Sequence, residues 1–369
     1  MYTEKDLVRI AKRDNNRKRN YLVVNPFQGK HIPVSPGKAM EVFTELARQL
    51  LIYREERILV IGFAETATAI GARIAMEAGA CYIQTTRENI PGAAYLVFSE
   101  QHSHAVEQRL VKDDLDSVMG GIDRIVFAED EVTTGNTILN LITVLEQYYK
   151  REMKFAVASL LNGMPEEAVE EFTGRGIGLH YLVKTRHDRY PEIADRAAED
   201  GIYHQEDVSE GEYTACFDIQ GWMDTRRLTD MTRYGNACQR LSEETIKLLS
   251  LKGKEKILVL GTEECMFPGL YVGTRLEEMG HFVKFHATTR SPISVSGSRA
   301  YPLHERYALS SMYEKDRKIF VYDIGSYDAV VVVTDAQNSK QEGKRGEWSL
   351  LNALRKKNEK IYLVRWCKQ

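Results

Sequence analysis

Long apolar runs are what this chain most plainly lacks. No stretch of its 369 residues reaches the ~18 consecutive apolar residues of a membrane span. The opening MYTEKDLVRIAKRDNNRKRN is charged throughout and has no apolar signal-peptide core. Both absences set the expectation of a cytoplasmic protein. Cysteine is scarce as well. Cys81, Cys216, Cys238, Cys265 and Cys367 are widely spaced and form no Cys-x-x-Cys pair, which argues against a disulfide framework or a zinc knuckle and for reduced, mostly buried thiols. An excess of one charge is also missing. With a formal net charge of -3, electrostatics gives no reason to expect a nucleic-acid or membrane partner, and a small-molecule substrate fits better.

What is present is a βα alternation. The length exceeds that at which a single core stops growing, so two domains are expected. Apolar runs YLVV (21–24), RILVIG (57–62), AYLVF (94–98) and RIVFA (124–128) read as buried strands, and helical patterns cover 39–53, 67–78 and 137–149. The fold class is therefore α/β, with a largely parallel, doubly wound sheet flanked by helices. KFAVASLLNG (154–163) adds a strand. The chain then turns polar over 185–213, which sets the expected domains at 1–200 and 215–369. A second α/β block follows, with a helix over 241–250 and the strand KILVLG (256–261). It can be laid on the first: ILVIG on ILVLG, GARIAMEAG on GTRLEEMG, TTR (85–87) on TTR (288–290), and Asp130 on Asp335. These landmarks keep their order and nearly their intervals, which suggests an internal duplication. The alternative is two unrelated α/β domains that share βα punctuation by chance.

The run RIVFAEDEVTTGNT (124–137) carries the chemistry. A strand ends in adjacent acids, Glu129 and Asp130, followed by a Thr/Gly turn that opens a helix. Backbone N–H groups there, with the hydroxyls of Thr133, Thr134 and Thr137 and the helix dipole, can cradle a dianionic phosphate, and Gly135 permits a tight curl. Acids at the carboxyl end of a strand lie where open α/β sheets bind ligands, within reach of ribose hydroxyls or of a Mg²⁺ ion carried by the substrate. The alternative is an ordinary strand end with a capped helix.

This segment resembles the PRPP signature of type I phosphoribosyltransferases. The resemblance implies an acid pair of Glu129 and Asp130, touching Mg²⁺ only through PRPP, and a 5'-phosphate loop of Thr133, Thr134, Gly135, Asn136 and Thr137. Upstream, Gly62 leads into Ala64, Glu65, Thr66, Ala67 and Thr68, which resemble the family's pyrophosphate loop, although Glu65 is unusual beside a polyanion. Arg87 in TTRE stands where the family commonly carries a basic residue for pyrophosphate, and a fixed guanidinium there would stabilise departing charge. SEQHSHAVEQRL, with His102, His104 and Arg109, falls in the family's mobile flap. The two histidines also read as solvated side chains or as a weak metal pair. GKHIPVSP (29–36), with Lys30 and His31, reads as a hood over the acceptor or as a rigid connection.

Over almost its full length the chain also resembles two-domain bacterial proteins in which an orotate-phosphoribosyltransferase-like domain precedes a TRSP domain, a family associated with tellurium-resistance and stress operons. TTRSPI (288–293) marks the second domain. Two readings of function follow: a Mg²⁺-dependent phosphoribosyltransferase acting on PRPP and an unidentified small-molecule acceptor, or a sensor that binds PRPP or a nucleotide without turnover. A homo-oligomer is expected in either case. In the second half AQNSKQEGKRG replaces the Thr/Gly turn, so PRPP binding is expected to be lost there, while Arg290, Ser291 and Arg299 are candidates for another anion.

Overall fold

The computed structural model describes residues 1–14, 19–98, 108–337 and 341–368. It divides the chain into two compact units that are not continuous in sequence. The first comprises residues 1–2, 41–186 and 223–236; the second comprises 3–40, 187–222 and 237–369. The polar stretch expected to separate the domains thus contains a break at 186/187. The units and the 1–200/215–369 division differ in where residues 3–40, 187–200 and 223–236 go.

In the first unit a six-stranded sheet runs in the order Thr229–Asp230, Cys81–Gln84, Ile58–Gly62, Arg124–Val132, Lys154–Asn162, Gly178–Lys184. All neighbours are parallel except the short Thr229–Asp230, which pairs antiparallel with Cys81–Gln84. Ile58–Gly62 is buried along its whole length, as expected for a parallel strand covered on both faces. The helix Asn136–Tyr149 buries Ile138, Leu141, Ile142 and Leu145, the i, i+3, i+4, i+7 stripe of an amphipathic helix. They join Leu59, Ile61, Phe127, Phe155 and Val157 in one core. From Ile58–Gly62 the chain moves out to Cys81–Gln84 and then crosses to Arg124–Val132 on the other side. That reversal is the point at which α/β sheets open a crevice at the strands' carboxyl ends.

The second unit repeats this arrangement. Its five-stranded parallel sheet runs Ala215–Gln220, Ile361–Cys367, Ala329–Thr334, Lys256–Gly261, Phe282–Ala287. Gly62 faces Ala128 across the first sheet and Gly261 faces Val333 across the second, so Thr334 and Asp335 hold the places of Glu129 and Asp130. Each unit also has an antiparallel strand pair at the same place in its chain: Tyr95–Phe98 with Gln108–Val111 between Cys81–Gln84 and Arg124–Val132, and Glu305–Ser310 with Lys318–Tyr322 between Phe282–Ala287 and Ala329–Thr334, where Ile202–His204 adds a parallel third strand. The edge strand differs, since Gly178–Lys184 follows its sheet in sequence and Ala215–Gln220 precedes its own.

Several local expectations are corrected. YLVV is not a strand of the first sheet; Tyr21–Val24 pairs antiparallel with Arg9–Lys12 in the second unit, where Ala11 and Val24 pack on Ile293, Val295, Leu303 and Tyr322. AYLVF belongs to the antiparallel hairpin rather than the parallel sheet, with Val97 turned to solvent. The helix expected over 241–250 begins earlier and spans Met231–Leu249. Of the cysteines only Cys238 and Cys265 are buried; Cys81 and Cys367 are half-buried and Cys216 is exposed, and none is bridged. Among the described residues no helix is long and apolar enough to cross a membrane.

Close packing of strand on helix depends on glycine. A β-carbon at Gly71 would stand 2.8 Å from Tyr82 Cε2 and 3.0 Å from Gly62 Cα, and the buried Tyr82 ring is pinned by its hydroxyl donating to Thr68 O at 3.0 Å. Alanine in a helix interior normally gains about 0.5–1 kcal/mol over glycine, whereas overpacking a rigid contact costs about 1–3 kcal/mol. Overpacking wins here because backbone cannot step aside. Gly71→Ala is expected to lower the urea midpoint, with a net loss of about 1–2 kcal/mol; a higher midpoint would contradict this packing.

Candidate functional site

At the switch point of the first sheet, residues 63–67 turn from Ile58–Gly62 into the helix Thr68–Ala78. A closed ring of hydrogen bonds holds this turn. Ala64 N–H donates to Thr85 Oγ1 (2.8 Å), the Thr85 hydroxyl donates to Gln108 Oε1 (2.7 Å), and Gln108 Nε2 donates back to Ala64 O (3.2 Å). The ring ties together the turn, the end of the second strand and the base of the hairpin, since Thr86 and Arg109 also exchange backbone hydrogen bonds. The Ala64–Glu65 peptide is cis. Glu65 is buried, and Thr66 is half-buried with its hydroxyl donating to Asp130 Oδ1 at 2.9 Å.

The sequence reading ended the neighbouring strand at residue 128. The strand in fact continues through the acids to Val132, because Lys154–Asn162 is long enough to go on pairing with it. Alternation along a strand then puts Glu129 and Glu131 on one face and Asp130 on the other. Glu129 keeps some solvent contact, but neighbouring atoms crowd its carboxyl. Desolvation first, and repulsion from Asp130 next, push it well above the usual carboxylate range.

Gly135 opens the helix Asn136–Tyr149 at φ +75°, in the left-handed region open to glycine. Asn136 N donates to Thr134 Oγ1 at 3.3 Å, and Thr134 and Asn136 are exposed while Thr133 and Thr137 are half-buried. A side chain at Gly135 would meet the Phe172 ring at 2.5 Å, so this glycine is tied to the core as well as to the turn. Lys184, absent from the sequence reading, closes the far side of this end of the sheet. Its ammonium donates to Met164 O and to Asn162 Oδ1, the latter at 3.1 Å, and desolvation lowers its pKa.

The other candidates belong to several elements of the two units. Arg87 is half-buried just beyond the second strand. Arg109 lies on the hairpin with its guanidinium over the Tyr95 ring at 5.6 Å, while His102 and His104 lie outside the described residues. Lys30 and His31 belong to the second unit and are buried there; Lys30 Nζ donates to Glu263 O at 3.0 Å. Arg290, Ser291 and Arg299 are also in the second unit, Arg299 exposed and Ser291 half-buried, while the Arg290 guanidinium reaches Glu263 and Glu264 at 3.0 and 3.1 Å. Sequence reasoning missed Gln108, which no motif marks, and residues 224–226. Thr225 O accepts from Gln84 N, and the Thr225 hydroxyl donates to Gln84 Oε1, both at 2.8 Å. Arg226 is buried beside them in sequence.

These geometries lead to two expected outcomes. Because the folded Glu129 carboxyl holds its proton to higher pH than in the unfolded chain, its contribution to stability is fully present at low pH and is lost as pH rises from the unfolded value toward the folded one. Glu129→Gln should therefore raise the melting temperature at pH 7.5, with the gain shrinking toward pH 4.5 in a series of thermal scans; equal stability at pH 7.5 would refute the raised pKa. Gly135→Ala should lose at least the ~1–2 kcal/mol of a left-handed L-residue, read by urea unfolding without any ligand. Retention of full stability would contradict both the left-handed backbone at residue 135 and the tight approach of Phe172.

Residues 7–185 match the profile of the phosphoribosyl transferase family PRTase_2, and residues 228–354 match TRSP, described as the domain C-terminal to PRTase_2. No curated protein matches. Among solved structures, the adenine phosphoribosyl transferase of Trypanosoma brucei with AMP, pyrophosphate and ribose-5-phosphate is similar at 18% identity and a TM-score of 0.30. The match covers 40% of this chain and 65% of that one, so it spans just under two thirds of that enzyme. The Giardia lamblia APRTase complexed with 9-deazaadenine is similar at 15% identity and a TM-score of 0.36, covering 51% of this chain and 100% of that one. The orotate phosphoribosyltransferase of Aeropyrum pernix is similar at 17% and 0.31, covering 53% and 96%. The chain thus carries a phosphoribosyltransferase-family domain of α/β fold, followed by a TRSP domain built on a second parallel sheet.

Proposed function

We propose that the first half is a Mg²⁺-dependent phosphoribosyltransferase that moves the phosphoribosyl group of PRPP onto a nitrogen of a nucleobase-like acceptor and releases pyrophosphate. The observation that carries the reading is the convergence at one switch point of a pinned turn, an acid pair and a glycine-opened helix N-terminus. In this reading residues 133–137 hold the 5'-phosphate, Asp130 and Glu129 hold the ribose hydroxyls, and residues 64–68 with Arg87 hold the pyrophosphate. The bond from the anomeric carbon to pyrophosphate breaks through an oxocarbenium-like state, and the electron pair of the acceptor nitrogen forms the new bond.

No group of three or more His, Cys, Asp or Glu among the described residues is gathered to hold a metal. In this reading the ion arrives on PRPP, and Glu129 and Asp130 meet it only indirectly. When bound, Mg²⁺ supplies charge neutralisation on the pyrophosphate. The protein's own part is to fix the ribose against the turn: Asp130 is already oriented by Thr66, so little reorganisation is needed on binding.

One observation favours a second reading. Glu65 is buried in the turn assigned to pyrophosphate, and a carboxylate beside a polyanion would disfavour its binding. A sensor that binds PRPP or a nucleotide without turning it over is the alternative. Pyrophosphate release from PRPP, Mg²⁺ and a pool of nucleobases separates the two: turnover supports the transferase, and saturable binding without release supports the sensor. The full chain is used, because residues 3–40 cluster with the second unit.

Asp130→Asn is expected to lower PRPP affinity or turnover at least tenfold, about 1.4 kcal/mol, with the fold intact. Unchanged binding and turnover in a folded variant would remove the site from this end of the sheet.

A further inference from the structure

The second unit reproduces the framework of the first site at the same positions. Glu263 N donates to Thr288 Oγ1 at 2.9 Å, as Ala64 N does to Thr85 Oγ1. Thr288 N returns to Gly261 O at 3.1 Å, as Thr85 N does to Gly62 O at 2.9 Å. Thr289 bridges to Phe320 on its hairpin, as Thr86 does to Arg109. The pairing makes Glu263 the counterpart of Ala64 and Arg290 the counterpart of Arg87. Where the first half has a methyl group, the second has a carboxylate.

That carboxylate lies in an anion cradle. Glu263 is 1% exposed. Its Oε2 accepts from Arg290 Nε (3.0 Å) and Arg317 Nη1 (2.9 Å), and its Oε1 accepts from the Ser311 hydroxyl (2.5 Å). Ser311 and Arg317 come from the turn joining Glu305–Ser310 to Lys318–Tyr322, so the hairpin and the strand-end arginine close on one group. Two guanidiniums and a hydroxyl around two oxygens is the donor set that otherwise recognises a phosphate or a pyrophosphate end.

We infer that Glu263 is a built-in anion: its carboxylate fills the second half's counterpart of the pyrophosphate position, so this half is a self-liganded copy that takes up no PRPP or pyrophosphate. The assignment of that position as pyrophosphate-like rests on the function proposed for the first half. The filling of the cradle rests on the second unit alone.

The test is titration calorimetry of the full chain with inorganic pyrophosphate, read as sites per chain. The parent is expected to show no more than one. Glu263→Ala, which removes the carboxylate shared by Arg290, Arg317 and Ser311 and leaves Glu264 on Arg290 and Glu314 on Arg317, is expected to bind one pyrophosphate more than the parent and to gain melting temperature with pyrophosphate beyond the parent's gain. Glu263→Gln fills the same space without charge and is expected to add no site. Because the gain is counted from the parent's own number, failure of the first-half proposal appears separately, as a parent that binds none. Two pyrophosphates per parent chain would overturn the inference without any variant. So would a folded Glu263→Ala with no added site, a Glu263→Ala that folds neither in chloride nor in pyrophosphate, or an added site in Glu263→Gln.

Discussion

One hydroxyl in each half fixes the rest. Thr85 and Thr288 sit just past Cys81–Gln84 and Phe282–Ala287, and each accepts from the backbone N–H of the turn that leaves the neighbouring strand, Ile58–Gly62 or Lys256–Gly261. A turn between a buried strand and a buried helix has few ways to satisfy its N–H groups, and an unpaired one costs about 1–3 kcal/mol. A threonine from the adjacent strand meets that need and also sets the distance between the two strand ends. In the first half Gln108 extends the link to the hairpin; in the second, Ser311 and Arg317 do so through a carboxylate.

Much of the fold was legible because a parallel strand covered on both faces must be apolar throughout. ILVIG, RIVFA and KILVLG announce themselves in this way, and the repeat of TTR marks the threonine and arginine that recur in both units. The register that sets Asp335 where Asp130 stands was readable from the same landmarks and recurs in the strand pairing. The acid pair with its Thr/Gly turn identified the end of the first sheet worth examining.

The unread parts share a cause: local sequence does not say what lies far away. YLVV has the composition of a core strand, but its partners are Arg9–Lys12 and a cluster around Ile293 and Tyr322. Lys30 and His31 look like surface residues, yet Lys30 is buried with its ammonium on a carbonyl 233 positions away. Gln108 carries no motif because its task is a pair of hydrogen bonds with Thr85 and Ala64. The extension of the Arg124–Val132 strand past its acids depended on how long its neighbour ran, which the acids themselves do not reveal.

The discontinuity of the second unit bears on how the chain is made. The strand pair Arg9–Lys12 and Tyr21–Val24 leaves the ribosome long before Ile293, Val295, Leu303 and Tyr322, which pack on it. At ordinary rates of synthesis that interval lasts roughly 10–60 s. During it Val24 and Ala11 have only Leu22, Ile32, Ala197 and Tyr203 of their native cluster to pack against, while the first sheet, whose strands from Ile58–Gly62 to Gly178–Lys184 emerge together, can already pair. Vectorial synthesis therefore favours early assembly of the first sheet, and the cluster around Ala11 and Val24 closes only after residues 293–322 of the second unit have been made.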